Sequence, residues 1–325
     1  MKRIATVPAL LFVFLFLSFP SKAGAQADCP SCHYRQGANG FVDKTQYEAS
    51  AHGRLSCSSC HLDITAYPHR GTPAVDCIIC HFTGDRGAPR VREFQFSVHG
   101  KALREGKTGV PTCQACHGSH DIYRSGDARS RTARTSIPAL CGRCHAGELE
   151  RYNGSIHGRA LREGKRTDAA TCFDCHMEHL VPKVAQEEWQ LSLIRQCGGC
   201  HKEEMDTYRK TFHGKVTRLG YSAMAKCTDC HGAHEILAPG EKASTLSPEN
   251  RAKTCGKCHP GASSRFTKFY AHAEETNKAK YPLLYYVYRF MTTLLIGVFT
   301  FFFLHTFLWA YRALKELRKG REGKQ

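Results

Sequence analysis

Residues 29–33 read CPSCH, and residues 57–61, CSSCH, repeat the form. The same pattern takes up every cysteine of the chain, as Cys29/Cys32, Cys57/Cys60, Cys77/Cys80, Cys113/Cys116, Cys141/Cys144, Cys172/Cys175, Cys197/Cys200, Cys227/Cys230 and Cys255/Cys258, nine pairs that account for all 18. A histidine follows each pair directly: His33, His61, His81, His117, His145, His176, His201, His231 and His259. No cysteine is left over for a disulfide.

Three chemistries compete for paired cysteines of this spacing. A zinc ribbon draws four ligands from two knuckles and has no use for a histidine after each one. A thioredoxin-like redox pair occurs once, beside a βαβ pattern. Covalent haem attachment uses all five positions, because two thiols add to the two vinyl groups and the adjacent imidazole reaches the iron. Nine occurrences in nine pairs favour haem c at each motif. Over roughly residues 29–272 the chain resembles the multihaem c-type cytochromes.

A formal charge of +17 would ordinarily direct attention to nucleic acid or an anionic membrane. Lys2, Arg3 and Lys22 belong to a removable leader, and the haem propionates offset much of the rest. The arginines are scattered and no nucleic-acid motif is present, so no nucleic-acid partner is expected.

Residues 1–27 begin Met-Lys-Arg, pass through ATVPALLFVFLFLSFP and end in AGAQA, the form of a secretory signal peptide cleaved after Ala25 or Ala27. A second apolar segment, Leu283 to Tyr311, holds 22 residues without formal charge between Arg289 and Arg312. That is roughly 33 Å of helix at about 1.5 Å per residue, enough to cross a bilayer once. Tyr281, Tyr285, Tyr286 and Tyr288 crowd one end, with Trp309 and Tyr311 at the other, as interfacial belts do. The tail, 313–325, is basic, which predicts a cytoplasmic C-terminus and a haem region in the periplasm. The expected organisation is a leader (1–27), a three-haem lobe (28–90) ending near GDRGAPR at 84–90, a six-haem region (91–280), a transmembrane helix (281–312) and the tail.

Three stretches align: FSVHGKALREGKTGVPTCQACHGSHDI from Phe96, GSIHGRALREGKRTDAATCFDCHMEHLV from Gly154 and KTFHGKVTRLGYSAMAKCTDCHGAHEI from Lys210. Each repeat holds two attachment motifs, one inside the stretch and one after it, so three repeats carry six. Nine histidines lie outside both the motifs and the apolar segment: His52, His69, His99, His120, His157, His179, His213, His234 and His272. They equal the motifs in number, which predicts bis-histidine ligation throughout. Four share a Ser/Thr-x-His-Gly context (His52, His99, His157, His213), and His272 lies in a related FYAHA. Three stand three residues after a motif histidine (His120, His179, His234) and are expected to reach a neighbouring haem. His69, in CHLDITAYPH, fits neither context. Met177, Met205 and Met224 are alternative ligands, though packing roles suit them better.

Residues 28–280 offer about 28 residues per haem, too few to wrap each cofactor in side chains. The expected fold is that of a multihaem cytochrome c: mostly irregular, with short α-helices around a haem array, little or no β-structure, and one C-terminal transmembrane helix. Residues 147–164 and 202–220 are the best helical candidates.

Saturated irons relay electrons and do not turn over substrate. The resemblance extends to tail-anchored periplasmic cytochromes that work beside a b-type membrane cytochrome, or another quinol-oxidising subunit, in quinol-oxidising complexes of anaerobic bacteria. It implies electron relay between the quinone pool and periplasmic redox proteins at the inner membrane, with the haem at His259 nearest the anchor. His305, an ionisable residue within the span, is a candidate for a haem b or quinone site shared with that partner, or for a hydrogen bond between helices. A reductase of a small oxyanion or nitrogen compound is the competing reading. It needs one open iron, and His69 is the assignment on which that turns.

Overall fold

The computed structural model of the chain describes residues 28–82 and 88–322. The leader, the GDRG part of the expected break and the last three residues of the tail lie outside the described residues. Among the described residues there is no strand; short helices alternate with turns, and one long helix ends the chain. The fold divides into two compact units. One ends at Cys77 and takes in Ser119–Ile122, and the other covers Ile78–Gly118 and everything from Tyr123.

The first unit is held by local capping. Asp43 accepts from the Gln46 N–H at 3.0 Å and so starts the helix Lys44–Ala49. The Tyr47 hydroxyl donates to the Leu55 carbonyl at 2.7 Å, and the Ala51 N–H donates to the Ile122 carbonyl at 2.8 Å.

In the second unit the repeats become three helical elbows. The helices are α1 (Ala88–Phe96) and α2 (Val98–Arg104), α3 (Ala146–Gly154) and α4 (Ile156–Arg162), then α5 (Glu187–Cys200), α6 (Lys202–Lys210) and α7 (Phe212–Arg218), with α8 (Pro282–Glu322) closing the chain. Each of the two expected helical windows is thus a pair of helices broken by a cap. At the break the hydroxyl serves both helices. Ser155 Oγ donates to the Tyr152 carbonyl of α3 at 2.6 Å and accepts from the Gly158 N–H of α4 at 3.0 Å. Ser97 and Thr211 repeat both bonds at the other two elbows. Such caps contribute about 1 kcal/mol each.

The glycine of Ser/Thr-x-His-Gly is required by the same geometry. A Cβ at Gly100, Gly158 or Gly214 would stand 2.0, 2.0 or 2.1 Å from a carbonyl oxygen of the preceding helix. Each second helix then stops at a glycine with positive φ, Gly106, Gly164 or Gly220, a conformation that costs L-residues with a side chain.

Successive repeats are joined through the backbone. The Val98 N–H donates to the Val181 carbonyl at 2.9 Å, and the Ile156 N–H to the Ile236 carbonyl at 2.8 Å. Arg134 adds a side-chain tie: its guanidinium grips the Asp174 carboxylate at 2.8 and 3.2 Å and donates to the Ala169 carbonyl at 2.9 Å. The buried apolar side chains of the described chain are small in number, Ala133, Ile137, Leu161, Leu193 and Met205. The most deeply buried side chains are the serines Ser97, Ser155 and Ser247. A core of this kind does not close on protein side chains alone.

Helix α8 is 41 residues long, and its Pro282–Lys319 stretch is apolar and long enough to cross a membrane, its most apolar window unburied. By length and composition it is consistent with a single-pass membrane anchor.

Candidate haem-binding site

Six of the nine motifs form a short helix or the end of one, with the histidine at or next to its C-terminal end, as in Cys29–His33, Ile78–His81, Cys113–His117, Cys172–His176, Glu187–Cys200 and Cys227–His231. One turn of helix sets Cys i and Cys i+3 on a common face, which the attachment chemistry requires. Two of these helices start with an aspartate at their third position: Asp174 accepts from the Thr171 N–H at 2.6 Å, and Asp229 from the Lys226 N–H at 2.7 Å.

Burial pushes the half-buried thiols Cys116 and Cys175 above the ordinary thiol range and Cys230 up to about 11. Among the described residues no three His, Cys, Asp or Glu side chains converge as a metal site would need. Instead the first cysteines of successive motifs meet in pairs by hydrogen bonds, Cys29 with Cys57, Cys141 with Cys172 and Cys197 with Cys227. Attachment points are therefore adjacent.

The 18 thiols differ in burial. The first cysteine of every motif is half-buried, whereas the second is exposed in six of them: Cys32, Cys60, Cys80, Cys144, Cys200 and Cys258. The three half-buried second thiols, Cys116, Cys175 and Cys230, belong to the motifs inside the repeated stretches. The elbows account for the difference in the second and third repeats. The Tyr152 hydroxyl, bonded to the Ala170 carbonyl, lies over the Cys172/Cys175 motif, and the Tyr208 hydroxyl, bonded to the Ala225 carbonyl, over Cys227/Cys230. The six exposed thiols close motifs that lie outside the repeated stretches. They do not pack into a protein core, and a sulfur that must reach a vinyl carbon outside the polypeptide has to face outward.

The histidines assemble two by two. Ring centres lie 5.8 Å apart for His33–His69, 6.2 Å for His61–His120, 6.3 Å for His99–His145 and 5.9 Å for His117–His179. They lie 6.1 Å apart for His157–His201, 6.0 Å for His176–His234, 6.0 Å for His213–His259 and 6.3 Å for His231–His272. Every pair joins one motif histidine to one outside the motifs. Two imidazoles on opposite sides of one metal, each bonded at about 2.0 Å with its ring centre about 1.1 Å further out, span about 6 Å. The observed separations match that span. The residues present therefore fit a haem iron held between two imidazoles.

The pairing follows a rule. A Ser/Thr-x-His-Gly histidine skips the motif that follows it and meets the next one, as His99 meets His145, His157 meets His201 and His213 meets His259. A histidine three residues after a motif reaches back two motifs, as His120 to His61, His179 to His117 and His234 to His176. His69 and His272, which share neither context, face the histidines of the first and the eighth motifs, His33 and His231. The remaining members of the two sets are His81, at the end of the helix Ile78–His81, and His52, whose N–H donates to Ser50 Oγ at 3.2 Å.

Burial first, and then the facing imidazole, hold His99, His117, His120, His157, His176, His213 and His231 below the ordinary imidazole range. A neutral imidazole is the ligating form. Where a ring nitrogen faces a carbonyl it must donate. His33 Nδ1 donates to the Gly40 carbonyl at 2.9 Å and His69 Nδ1 to the Gly71 carbonyl at 3.2 Å, leaving Nε2 for a metal in both members of that pair. His272 Nδ1 is held by the Glu204 carbonyl at 3.1 Å and Thr207 Oγ1 at 3.0 Å, both on α6.

Several neighbours escaped sequence reasoning. Trp189 of α5 stacks on His176 with ring centres 5.5 Å apart, and Phe266 lies 5.0 Å from His259. Trp189 is one of two tryptophans, a signal of a kind, but its placement needed the helix α5, which the sequence reading did not single out. Of the methionines, Met205 is buried against Gly198, and Met177 takes the positive-φ position that Gly118 and Gly232 occupy after the equivalent motifs. His305 sits in α8 with its ring parallel to Phe301 at 6.4 Å.

Residues 49–146 match the family described as Cytochrome c3. The match covers the motifs ending at His61, His81, His117 and His145, together with His52, His69, His99 and His120. No curated protein matches the chain. The chain carries a cytochrome c3-like multihaem c-type domain and a long C-terminal apolar helix consistent with a membrane anchor, the make-up of an electron-transfer protein.

Proposed function

We propose that the chain is a nonahaem c-type cytochrome of the inner membrane, with its haem domain in the periplasm and its C-terminus in the cytoplasm. It relays electrons between the quinone pool, through a b-type or other quinol-oxidising membrane subunit, and periplasmic or outer-membrane acceptors in anaerobic respiration. The observation that carries this reading is the set of histidine pairs at 5.8–6.3 Å, each joining a motif histidine to a second imidazole.

Haem iron with two histidines supplies one-electron exchange at fixed ligation. The protein does the rest. The paired thiols fix each porphyrin edge, and the meeting of Cys141 with Cys172 and of Cys197 with Cys227 sets neighbouring edges side by side. With haem bound, the second imidazole of each pair would hold the iron and leave no place for a substrate. Carbonyl acceptors such as Gly40 and Gly71 fix ring orientation and tautomer. His52 and His81 complete the count of nine and nine.

The reductase reading finds no observation in its favour, since His69 stands 5.8 Å from His33 with the rings 24° apart. An EPR spectrum of the fully oxidised protein, with a pyridine haemochrome count, tests the proposal. Nine low-spin haems are expected. A stoichiometric high-spin ferric signal would replace the relay with a reductase.

A further inference from the structure

The third repeat departs from the first two at its outer tip. In the first, Glu105 and Lys107 flank a positive-φ glycine and pair at 2.7 Å; in the second, Glu163 and Lys165 do the same at 2.6 Å. In the third the same backbone turn carries Leu219 and Tyr221, 86% and 57% exposed. Phe212 adds a third apolar group, 72% exposed, where the second repeat has Ile156 at 43%. The N–H of Ile156 is taken by a carbonyl of the next repeat, whereas that of Phe212 has no such partner among the described residues.

A terminal repeat in water needs a more polar outer face than the inner repeats, because nothing follows to cover it. Here the terminal repeat is more apolar. What covers it is indicated by its neighbours. Lys210, at the end of α6 and two residues before Phe212, pairs with Glu275 at 3.0 Å and lies within the electrostatic reach of Tyr288, in the first turns of α8. The tip is thus tied by an ion pair to the segment that leads into the membrane helix. Exposed Lys215 and Arg218 lie between Phe212 and Leu219 and make no ion pair among the described residues, a charge pattern that suits anionic headgroups.

We propose that Phe212, Leu219 and Tyr221 seat in the interfacial layer of the bilayer that α8 crosses, beside anionic phospholipid. The proposal rests on α8 being a membrane anchor, and it deepens the relay reading. His213 adjoins Phe212 and pairs with His259, so seating the tip brings that pair to the lipid boundary, where a quinone is available.

The test uses the full-length holoprotein in nanodiscs of phosphatidylglycerol and phosphatidylcholine carrying a diazirine on the acyl chain, with photo-adducts mapped by mass spectrometry. Adducts are expected on the Phe212–Tyr221 segment and on α8, and none on the Glu105–Lys107 or Glu163–Lys165 turns. The double variant Leu219→Glu, Tyr221→Lys restores residues that the same turn already accepts twice, and should lose the tip adducts while keeping those on α8. Adducts confined to α8, or equal labelling of all three turns, overturn the proposal. So does shielding of the tip in native membranes but not in nanodiscs, which would assign the surface to a protein partner. The readout needs no electron transfer, so a failure of quinol-driven reduction with the tip labelled would sink the relay reading and leave the seating intact.

Discussion

Gly158→Ala puts two rules in opposition. Gly158 lies in the first turn of α4, where helix propensity alone predicts that alanine stabilises by about 1 kcal/mol. The elbow predicts the reverse. The new Cβ would stand 2.0 Å from the Tyr152 carbonyl oxygen, 2.8 Å from its carbon and 3.0 Å from Asn153 Cα. Ordinary contact is about 3.5 Å, so α3 and α4 must separate by more than about 1 Å, and overpacking of this kind costs about 1–3 kcal/mol. The net expectation is destabilisation of about 0–2 kcal/mol after the propensity gain is subtracted. The neighbouring residue, His157, faces His201 at 6.1 Å, and a metal–nitrogen bond of about 2.0 Å does not stretch by half its length. The assay is EPR of the oxidised holoprotein with a haemochrome count, alongside thermal unfolding. One haem should pass from low-spin to high-spin at unchanged haem content, with a lowered Tm. Gly147→Ala in α3, where a Cβ meets nothing within 4 Å, is the control and should be neutral or slightly stabilising. If Gly158→Ala keeps every low-spin signal and melts no lower than Gly147→Ala, the elbow does not position His157.

Four further outcomes can be measured. His272→Ala should convert one haem to high-spin, and Thr207→Val should leave it low-spin because the Glu204 carbonyl still holds Nδ1. Tyr152→Phe removes a 2.9 Å bond to the Ala170 carbonyl, at a cost of about 1 kcal/mol at neutral pH. Burial pushes the Tyr152 phenol up to about 12 from 10.0, so the wild type holds its contribution below pH 10.0 and loses it as pH rises towards 12; melts of the phenylalanine variant should lack that part of the alkaline decline. Arg134→Ala breaks the grip on Asp174 and Ala169 and should cost about 1–3 kcal/mol, read as a lower denaturation midpoint with unchanged haem content. His305→Ala should abolish quinol-driven reduction of the haems in native membranes if the residue serves a shared haem b or quinone site, whereas unchanged reduction would leave it a helix-pairing role.

Much of the candidate site is legible in the sequence because its chemistry is local. A thiol pair at i and i+3 followed by histidine completes an attachment motif within one turn, so spacing alone locates all nine. The anchor is legible for the same reason, since a bilayer imposes a continuous apolar length. The equality of nine motif histidines and nine others is also arithmetic on the chain. What Ser/Thr-x-His-Gly is for was not legible: the glycine is there because two helix backbones approach at an elbow, and the hydroxyl because one oxygen caps both helices. Nor was the division of the second thiols into covered and open ones, Cys175 against Cys144 for instance, because a motif of five residues says nothing of what packs over it.

Only the tertiary structure decided which histidine faces which. The chain brings the two sets of histidines together by skipping or stepping back over whole motifs, as His99 does to His145 and His179 to His117. Sequence distance carries no information about that choice, because the intervening loops are long enough to reach several haems. His69, which matched no pattern, was anomalous by context alone. It faces His33 of the first motif, which has no earlier repeat to lend it a partner, just as His272 faces His231 of the eighth, which has no later one. The ends of an array are built differently from its interior, and that difference is set by which neighbours exist in space.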